Sequence, residues 1–255
     1  MASAAVLFAA CNKMEEVNTP VDTPVETETI TVVLNPVTKT SLDGKATLWT
    51  AGDKVSVKAD GVDLGNLELV EGSSFSGTLN SAALDGATEV TLHYPAGVDT
   101  VPAEQTAVAG SFANGAALLD GTSTMAALRA GEGATLSNTT ALLKFSVAQA
   151  GDVTFEVGTA KYTVTGCETG EKTYYACVAP ASNAAFTARI DGYLSKKASN
   201  KATFTANQVA NLGELPAPEV YTWGLVGQHQ GWDITNPTKM YKVADNAYAC
   251  LNIKL

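Results

Sequence analysis

Short runs of alternating apolar and polar residues cover most of the chain after residue 28. The first run, residues 29–34 (TITVVL), is ended by Asn35 and Pro36. Side chains of a β-strand alternate between the two faces of a sheet, so this period of two predicts strands. Further strands are predicted at residues 47–49, 54–58, 67–70, 74–79, 89–94, 141–147, 153–157, 161–165, 173–178, 185–190 and 202–205. Only residues 116–130 are considered for a helix.

The strand runs fall into groups, and the breaks between them predict domain boundaries. Gly, Asp, Asn and Pro separate the runs, which is typical of β-sandwiches. Residues 98–115 are rich in Ala, Gly and Pro, so we expect one sandwich at 29–110 and a second at 111–215. A Pro-rich joint at 216–219 opens a third, incomplete β-rich unit at 216–255. The predicted fold class is therefore all-β, with tandem sandwiches.

The first eleven residues have the features of a partial lipoprotein signal peptide. Residues 1–10 (MASAAVLFAA) are small and apolar, although the positive charge that opens such signals is missing. The sequence FAAC at 8–11 matches a lipobox, in which cleavage leaves a cysteine that takes up lipid. Cys11 is therefore the predicted lipidation site. The alternative is an ordinary apolar N terminus with an incidental cysteine, and the missing charge suggests an internal start or a fragment.

A flexible linker is predicted at residues 12–28, between Cys11 and the first strand. Residues 17–28 (VNTPVDTPVETE) repeat Pro and acidic residues, which resist helix formation and collapse. The preceding residues 12–16 (NKMEE) resemble the lysine-plus-acidic tag of lipoproteins that Bacteroidetes-type bacteria export to the outer face of the outer membrane. We therefore expect a lipid-anchored protein of the outer membrane that faces the cell exterior. The alternative is a solvated tether without a sorting role.

The charge balance limits the kinds of partner. The chain has 26 Asp and Glu against 16 Lys and Arg, a net charge of −10. Phosphate backbones are bound by clustered Lys and Arg, so this acidity argues against a nucleic acid as the main partner. No apolar run approaches the roughly 20 residues of a membrane-spanning helix.

Residue patterns that indicate catalysis are missing from the sequence. The two histidines, His93 and His229, are far apart, and no HExxH, CxxC or Gly-x-Ser-x-Gly pattern occurs. Acidic residues are scattered through turns, so no general acid and base pair is indicated. We expect a non-enzymatic protein without a metal or a cofactor. His93 is expected to be exposed or to lie at a sheet edge.

Two cysteines leave the question of a disulfide open. Cys167 and Cys177 lie on either side of a Gly-rich turn, on strands that we expect to pair. A hairpin centred near Gly170 places Cys167 opposite Tyr174, so a bond between the two cysteines would need an irregular loop.

Several strand segments carry a family resemblance. These segments are residues 38–44 (TKTSLDG), 49, 52–57 (GDKVSV), 138–145 (NTTALLKF), 175–180 (YACVAP) and 203–213 (TFTANQVANLG). Over about residues 27–215 the chain resembles the fimbrillin family of surface lipoproteins. The resemblance implies transthyretin-like or Ig-like β-sandwiches and a role as a pilus subunit, pilus anchor or adhesin. Polymerising members are cut after a basic residue so that a donor strand can insert, and Lys39 and Lys45 are the candidate cleavage sites here.

The C-terminal unit carries a second resemblance. Residues 220–233 (VYTWGLVGQHQGWD) are similar to the first strands of the carbohydrate-binding domains of SusE/SusF-like starch-utilisation lipoproteins. A tryptophan face stacks on the C–H-rich face of a sugar ring, and flanking polar groups bind its hydroxyls. The candidate binding residues are therefore Trp232, Asp233, His229 and Trp223. The alternative places both tryptophans in the core of a small sandwich and His229 in a solvated turn.

The sequence thus predicts a non-enzymatic cell-surface lipoprotein. Its fimbrillin-like sandwiches would act as a spacer for a truncated domain that captures a glucan-type polysaccharide. The alternative is a structural pilus subunit, anchor or adhesin whose partners are other fimbrial subunits.

Overall fold

Nearly all elements of the chain are β-strands, which confirms the all-β prediction. The computed structural model describes residues 26–36, 49–81, 88–111 and 116–251. Cys11, Lys39 and Lys45 lie outside these ranges, as do the predicted signal peptide and the linker up to residue 25. Within the same ranges no helix is long and apolar enough to cross a membrane.

The first half of the chain forms a closed barrel. In chain order the elements of this half are β1 (Thr27–Pro36), β2 (Lys54–Ala59), β3 (Val62–Glu71), β4 (Ser74–Asn80), β5 (Glu89–Tyr94), β6 (Glu104–Thr106), β7 (Leu119–Thr124), the helix α1 (Met125–Arg129) and β8 (Ala134–Asn138), of which β6 pairs outside the barrel. The hydrogen-bonded order of the barrel is β1-β4-β3-β2-β5-β7-β8. Strand β1 closes the ring because it pairs antiparallel with β4 and parallel with β8. Its inward residues Ile30, Val32 and Leu34 are buried in the barrel core.

The second unit is a sandwich of two packed sheets. Its strands are β9 (Ala141–Val147), β10 (Gly151–Val157), β11 (Ala160–Cys167), β12 (Tyr174–Val178), β13 (Ala181–Ala184), β14 (Phe186–Ile190), β15 (Tyr193–Lys197), β16 (Ala202–Phe204) and β17 (Val209–Leu215). One sheet has the order β15-β14-β10-β11-β6, the other β12-β9-β17, and β13 pairs with β16. The core between the sheets includes Phe145 and Phe155, whose ring centroids are 5.0 Å apart in an edge-to-face arrangement.

The barrel and the sandwich exchange strands across the boundary predicted at residue 110. Strands β7 and β8 follow that residue, yet Leu119 of β7 pairs with Asn138 of β8 inside the barrel. Strand β6 precedes it, yet Gln105 pairs in parallel with Val164 of β11 in the sandwich. The structural division therefore differs from the predicted one. Alternation along the chain indicates that a segment is a strand but does not indicate which strand it pairs with.

The predicted pairing of the strands that carry Cys167 and Cys177 is wrong. Strand β11 pairs with β10, whereas β12 pairs with β9 in the opposite sheet. Both cysteines are buried and free. The Gly-rich segment between them crosses from one sheet to the other, which is why the hairpin that the turn residues indicated does not form.

The region considered for a helix contains only one helical turn, which follows the whole of strand β7. Strand β7 ends at Thr124, whose side-chain oxygen accepts a hydrogen bond from the Ala127 backbone N–H at 3.1 Å. This is an N-cap, and it starts helix α1. Met125 and Leu128 of the helix are buried against the barrel core.

A small third sheet follows the sandwich. Its strands are β18 (Val220–Leu225), β19 (Thr238–Ala244) and β20 (Ala247–Ala249), in that order across the sheet. A 3₁₀ turn at Gln228–Gln230 lies in the connection from β18 to β19. The sheet contacts the sandwich through strand β15, where the rings of Tyr193 and Tyr241 lie 4.6 Å apart. This contact positions the C-terminal residues that the sequence singled out.

Candidate functional site

One face of the third sheet presents aromatic side chains to solvent. Tyr221, Trp223 and Leu225 lie on β18 and are all exposed, and the pairing of β18 with β19 is irregular between Val220 and Gly224. The ring of Tyr221 lies 4.5 Å from that of Tyr248 on β20. We call these four residues the aromatic face. Trp223 is 72% exposed, which excludes the alternative that it is a core residue.

Trp232 is exposed in the turn between β18 and β19. Its side chain is 68% exposed, and its backbone has a φ of 61°, in the left-handed region that glycine favours. The Trp232 N–H donates to the Gly227 carbonyl at 3.0 Å, which holds the turn closed. The preceding Gly231 also has a positive φ, of 73°. Two successive left-handed residues thus form this turn, and the exposed indole is not part of a core.

Asp233 holds the chain in place directly after Trp232. Its Oδ1 accepts hydrogen bonds from the Thr235 N–H at 2.8 Å and from the Thr235 hydroxyl at 2.6 Å. These bonds, the side-chain one first, lower the pKa of the Asp233 carboxyl. The geometry therefore gives this carboxylate a role in shaping the turn, beside the ligand contact that the sequence predicts for it.

His229 is turned toward its own sheet. Its Nε2 forms a 2.8 Å hydrogen bond with the Thr238 hydroxyl at the start of β19. The His229 ring is half-buried, so it is less exposed than the alternative of a solvated turn predicts. Both predicted polar residues of the site therefore stabilise the loop that carries Trp232.

The edge of the aromatic face carries a charged network that sequence reasoning missed. Glu219 accepts hydrogen bonds from the Tyr248 hydroxyl at 2.6 Å and from the Lys242 ammonium at 3.1 Å. The bond from Tyr248, and then that from Lys242, lower the pKa of Glu219, and the same contact raises the pKa of Tyr248. Tyr221 could have been found from its alternation with Trp223, whereas Glu219 gave no signal because its partners are distant in sequence.

The third tryptophan of the chain has a structural role. Trp49 is half-buried against the barrel core, and its indole N–H donates to the Leu34 carbonyl at 3.1 Å. Its ring meets Phe75 and Tyr94 edge-on at 5.0 and 5.1 Å. The chain thus uses one tryptophan for packing and exposes the two that lie in the C-terminal unit.

His93 is not an edge residue as expected. Strand β5 lies between β2 and β7, and the side chain of His93 is bonded to Asp120 on β7. Over the described parts of the chain, no cluster of three or more His, Cys, Asp or Glu side chains is placed to hold a metal ion.

Comparison with known proteins gives similarity only at the level of solved structures. No protein family and no curated protein matches the chain. A fimbrial protein of Bacteroides ovatus aligns with 76% of this chain at 15% identity and a TM-score of 0.39. The chain spans about half of that protein's length, 52%.

Two candidate cell adhesion proteins also align. One, from Bacteroides ovatus, has 11% identity and a TM-score of 0.44, with coverage of 74% of this chain and 92% of its own. The other, from Bacteroides thetaiotaomicron, has 15% identity and a TM-score of 0.40, with coverage of 72% and 92%.

Proposed function

We propose that this chain is a non-enzymatic adhesion protein of the bacterial cell surface whose C-terminal sheet binds a glucan-type polysaccharide. The observation that carries the proposal is the exposure of Trp223 and Trp232, since the remaining tryptophan, Trp49, packs against the barrel core. The fimbrillin-like resemblance of residues 27–215 supports the surface role. The barrel and the sandwich act as a spacer that holds the binding sheet away from the membrane.

Stacking on exposed indoles supplies the energy of capture. A buried aromatic contributes about 150–250 Å² of surface, and a sugar covers one face, so each indole gives about 2–3 kcal/mol before binding costs. Association itself costs several kcal/mol, so a single stack is too weak on its own. Stacking on Trp223 and Trp232 together outweighs this cost of association when the ligand is a repeating polymer. The turn bonds around Trp232 reduce the entropy that binding must remove.

The contact between the third sheet and the sandwich supports the spacer role. Arg189 on β14 donates to the Val243 carbonyl of β19 at 2.8 Å. Lys197 pairs with Asp245 at 2.7 Å. These bonds resist rotation of the binding sheet when a captured polymer is pulled.

Affinity electrophoresis tests the proposal on the full chain. In gels that contain soluble starch or pullulan, we expect retarded migration that Trp232→Ala reduces and that the double variant with Trp223→Ala abolishes. Val70→Ala is the matched control, because Val70 is an exposed apolar residue of the barrel, 68% exposed. Retardation that is equal in all variants, or absent from the unaltered chain, would overturn the proposal.

Membrane attachment through Cys11 is part of the same proposal and has its own test. Cells that express the full chain would be labelled with radioactive palmitate, with Cys11→Ser as the variant and Cys250→Ser as the control. We expect label in the unaltered chain and in the control alone. Equal label in the Cys11 variant would refute the anchor without affecting the glucan proposal.

Strand β1 favours a second candidate function, that of a pilus subunit. It fills the space between β4 and β8, and Ile30, Val32 and Leu34 line its buried face. Lys39 and Lys45 follow it, so cleavage there would separate β1 from the rest of the barrel and leave a hydrophobic groove for a strand of another subunit. Limited tryptic cleavage would then yield a ladder of heat-labile oligomers, and Lys39→Gln with Lys45→Gln would prevent it. Persistent monomer after cleavage would exclude this function.

A further inference from the structure

A polar cleft of about 810 Å³ lies on the outside of the barrel, across β2, β5, β7 and β8. Its polar lining includes Lys58, Thr91, His93, Asp120, Thr122 and Ser137. The volume is within the range of about 300–1,000 Å³ that is typical of ligand sites. None of the lining residues belongs to the aromatic face, so a ligand here would occupy a separate site.

The strand register arranges the lining side chains in two adjacent rows. One row runs across three strands through Lys58, Thr91 and Thr122. The other runs through His93, Asp120 and Ser137. Directly opposed residues of antiparallel strands have Cβ atoms about 4.5–5.5 Å apart, a spacing at which successive side chains can reach one ligand. The rows therefore form a continuous polar floor.

A loop fixed by His93 forms one wall of the cleft. The ring Nε2 donates to the Val98 carbonyl at 2.7 Å, while Nδ1 is bonded to the Asp120 carboxylate. The histidine thus holds the loop after β5 against β7. Asp99 on this loop faces Lys58, with 4.0 Å between carboxylate and ammonium. The wall is consequently in place before any ligand arrives.

The opposite side of the cleft is formed by β7 and β8. The two strands pair at Leu119 with Asn138 and at Asp120 with Ser137. Toward its start β8 pairs instead with β1, and Thr135 lies opposite Asn35. Ala134, Thr135 and Ser137 from these stretches of β8 line the cleft.

Three hydroxyl groups in the cleft have no hydrogen-bond partner among the residues that the structure describes: those of Thr122, Thr135 and Ser137. Each can donate and accept. The carboxylates of Asp99 and Asp120 add acceptors, and both side chains are more than half exposed. The cleft therefore offers donors and acceptors together, as the neighbouring hydroxyls of a sugar require.

Other ligand classes fit this lining less well. An anionic ligand would meet the carboxylates of Asp99 and Asp120, with the Lys58 ammonium already facing Asp99. An apolar ligand would remove water from the unpartnered hydroxyls without replacing their hydrogen bonds, which is unfavourable.

We propose that the polar cleft is a second binding site, specific for a neutral oligosaccharide that is held by hydrogen bonds. The hydroxyls of Thr122, Thr135 and Ser137 bind sugar hydroxyls directly, and Asp120 accepts from them through the carboxylate oxygen that does not face His93. Two separate sugar sites on one chain raise the avidity for a polysaccharide without any new contact at either site.

Amide chemical shifts of the ¹⁵N-labelled full chain test this proposal. The probes are maltohexaose, cellohexaose and xylohexaose, each titrated separately. We expect at least one of them to shift the amides of Thr91, Thr122 and Thr135 in a saturable manner. If none of the three does so, the proposal is wrong. Saturable shifts produced only by an uncharged peptide of the sequence TQTSTQ would instead identify a peptide site and overturn it.

A variant that fills the cleft provides the matched comparison. Thr122→Phe places a ring over the floor of the cleft. We expect it to weaken oligosaccharide binding at least about tenfold, because one or more hydrogen bonds to the sugar are lost. Thr78→Phe is the control, since Thr78 is an exposed strand threonine on β4 of the same barrel. Equal weakening by both variants, or none by Thr122→Phe, would contradict the assignment. Unchanged spectra elsewhere in Thr122→Phe would show that it folds.

One further variant tests whether the two proposed sugar sites bind independently. In the chain with Trp223→Ala and Trp232→Ala, the shifts at Thr91, Thr122 and Thr135 should persist with the same midpoint. If they disappear, the cleft is not an independent site. Conversely, retardation in glucan gels without any shift in the cleft would reject the second site and leave the proposed function intact.

Discussion

The side-chain amide of Gln105 pairs with the backbone of Cys177 as a neighbouring strand would. Its Nε2 donates to the Cys177 carbonyl at 2.6 Å, and its Oε1 accepts from the Cys177 N–H at 2.9 Å. Gln105 lies on β6, which is paired to β11 of the opposite sheet, whereas Cys177 lies on β12. One buried amide therefore joins the two sheets of the sandwich and satisfies the edge of β12.

Replacement of Gln105 should destabilise the sandwich strongly. Gln105→Leu removes both bonds and leaves the N–H and the carbonyl of Cys177 buried without partners, which costs about 2–5 kcal/mol. Urea unfolding measures the loss, with Gln228→Leu as the control because Gln228 is exposed in the third unit. Equal effects of the two substitutions would contradict the bridging role.

The buried thiols should make the chain less stable at alkaline pH. Burial raises the pKa of Cys177 from 9.0 to about 12, and burial together with the Asp152 carboxylate raises that of Cys167 to about 12. Above pH 9 the unfolded chain releases these protons while the folded chain retains them, so stability falls as the pH rises from 9 toward 12. Each thiol contributes a slope of about 1.4 kcal/mol per pH unit.

The variant Cys177→Ala isolates this contribution. Its free energy of unfolding, measured between pH 9 and pH 11, should fall less steeply than that of the unaltered chain by about 1.4 kcal/mol per pH unit. Cys250→Ala serves as the comparison: Cys250 is less buried than Cys177, and burial raises its pKa too, so its loss should change the slope in the same direction but by less. Parallel curves for Cys177→Ala and the unaltered chain would disprove the assignment.

Arg189 should control how firmly the third sheet is held. Its Nη1 donates to the Val243 carbonyl at 2.8 Å, and its Nε donates to Glu156 at 3.2 Å. Arg189→Ala removes these two bonds and a third, from Nη1 to the Gly192 carbonyl at 3.3 Å, so we expect faster hydrogen exchange in β19 and faster proteolysis at residues 216–219. Global stability should fall by about 1–3 kcal/mol.

Lys161→Ala is the matched control for Arg189→Ala. Lys161 pairs with the same carboxylate of Glu156 at 3.5 Å but is largely exposed, so its loss should leave β19 unchanged. Accelerated exchange in β19 of both variants would attribute the effect to Glu156 instead of the bond to Val243.

The tryptophan at position 232 should lower the stability of the folded chain while its indole contributes to glucan binding. Its φ of 61° costs a non-glycine residue about 1 kcal/mol, so Trp232→Gly should be more stable than Trp232→Ala by roughly that amount. Both variants should lose retention in glucan gels equally, since both lack the indole. Urea unfolding followed by the fluorescence of the two remaining tryptophans, Trp49 and Trp223, measures the difference. A less stable Trp232→Gly would show that the turn does not require a left-handed residue.

The positions of many strands follow from the sequence alone. The predicted runs at 54–58, 89–94 and 141–147 correspond to β2 (Lys54–Ala59), β5 (Glu89–Tyr94) and β9 (Ala141–Val147). Alternation is a local property, because the pleat places successive residues on opposite faces whatever the strand pairs with.

Strand partners were decided only by tertiary structure. Strands β7 and β8 complete the barrel although the composition of the preceding segment indicated a boundary, and Cys167 and Cys177 lie on strands of different sheets. Turn residues such as Gly170 report the local bend but not the sheet that the chain enters next. Pairing depends on which distant hydrophobic faces can be buried together.

Of the two candidate sites, one was indicated by the sequence and the other only by the tertiary structure. The sequence by itself indicated Trp223 and Trp232, since the residue types and their polar neighbours carried the signal. It could not indicate the polar cleft, where Lys58, Thr122 and Ser137 are far apart in the chain and ordinary in type. Only the register of four strands brings those side chains together, because a common outer face exists only after the barrel has closed.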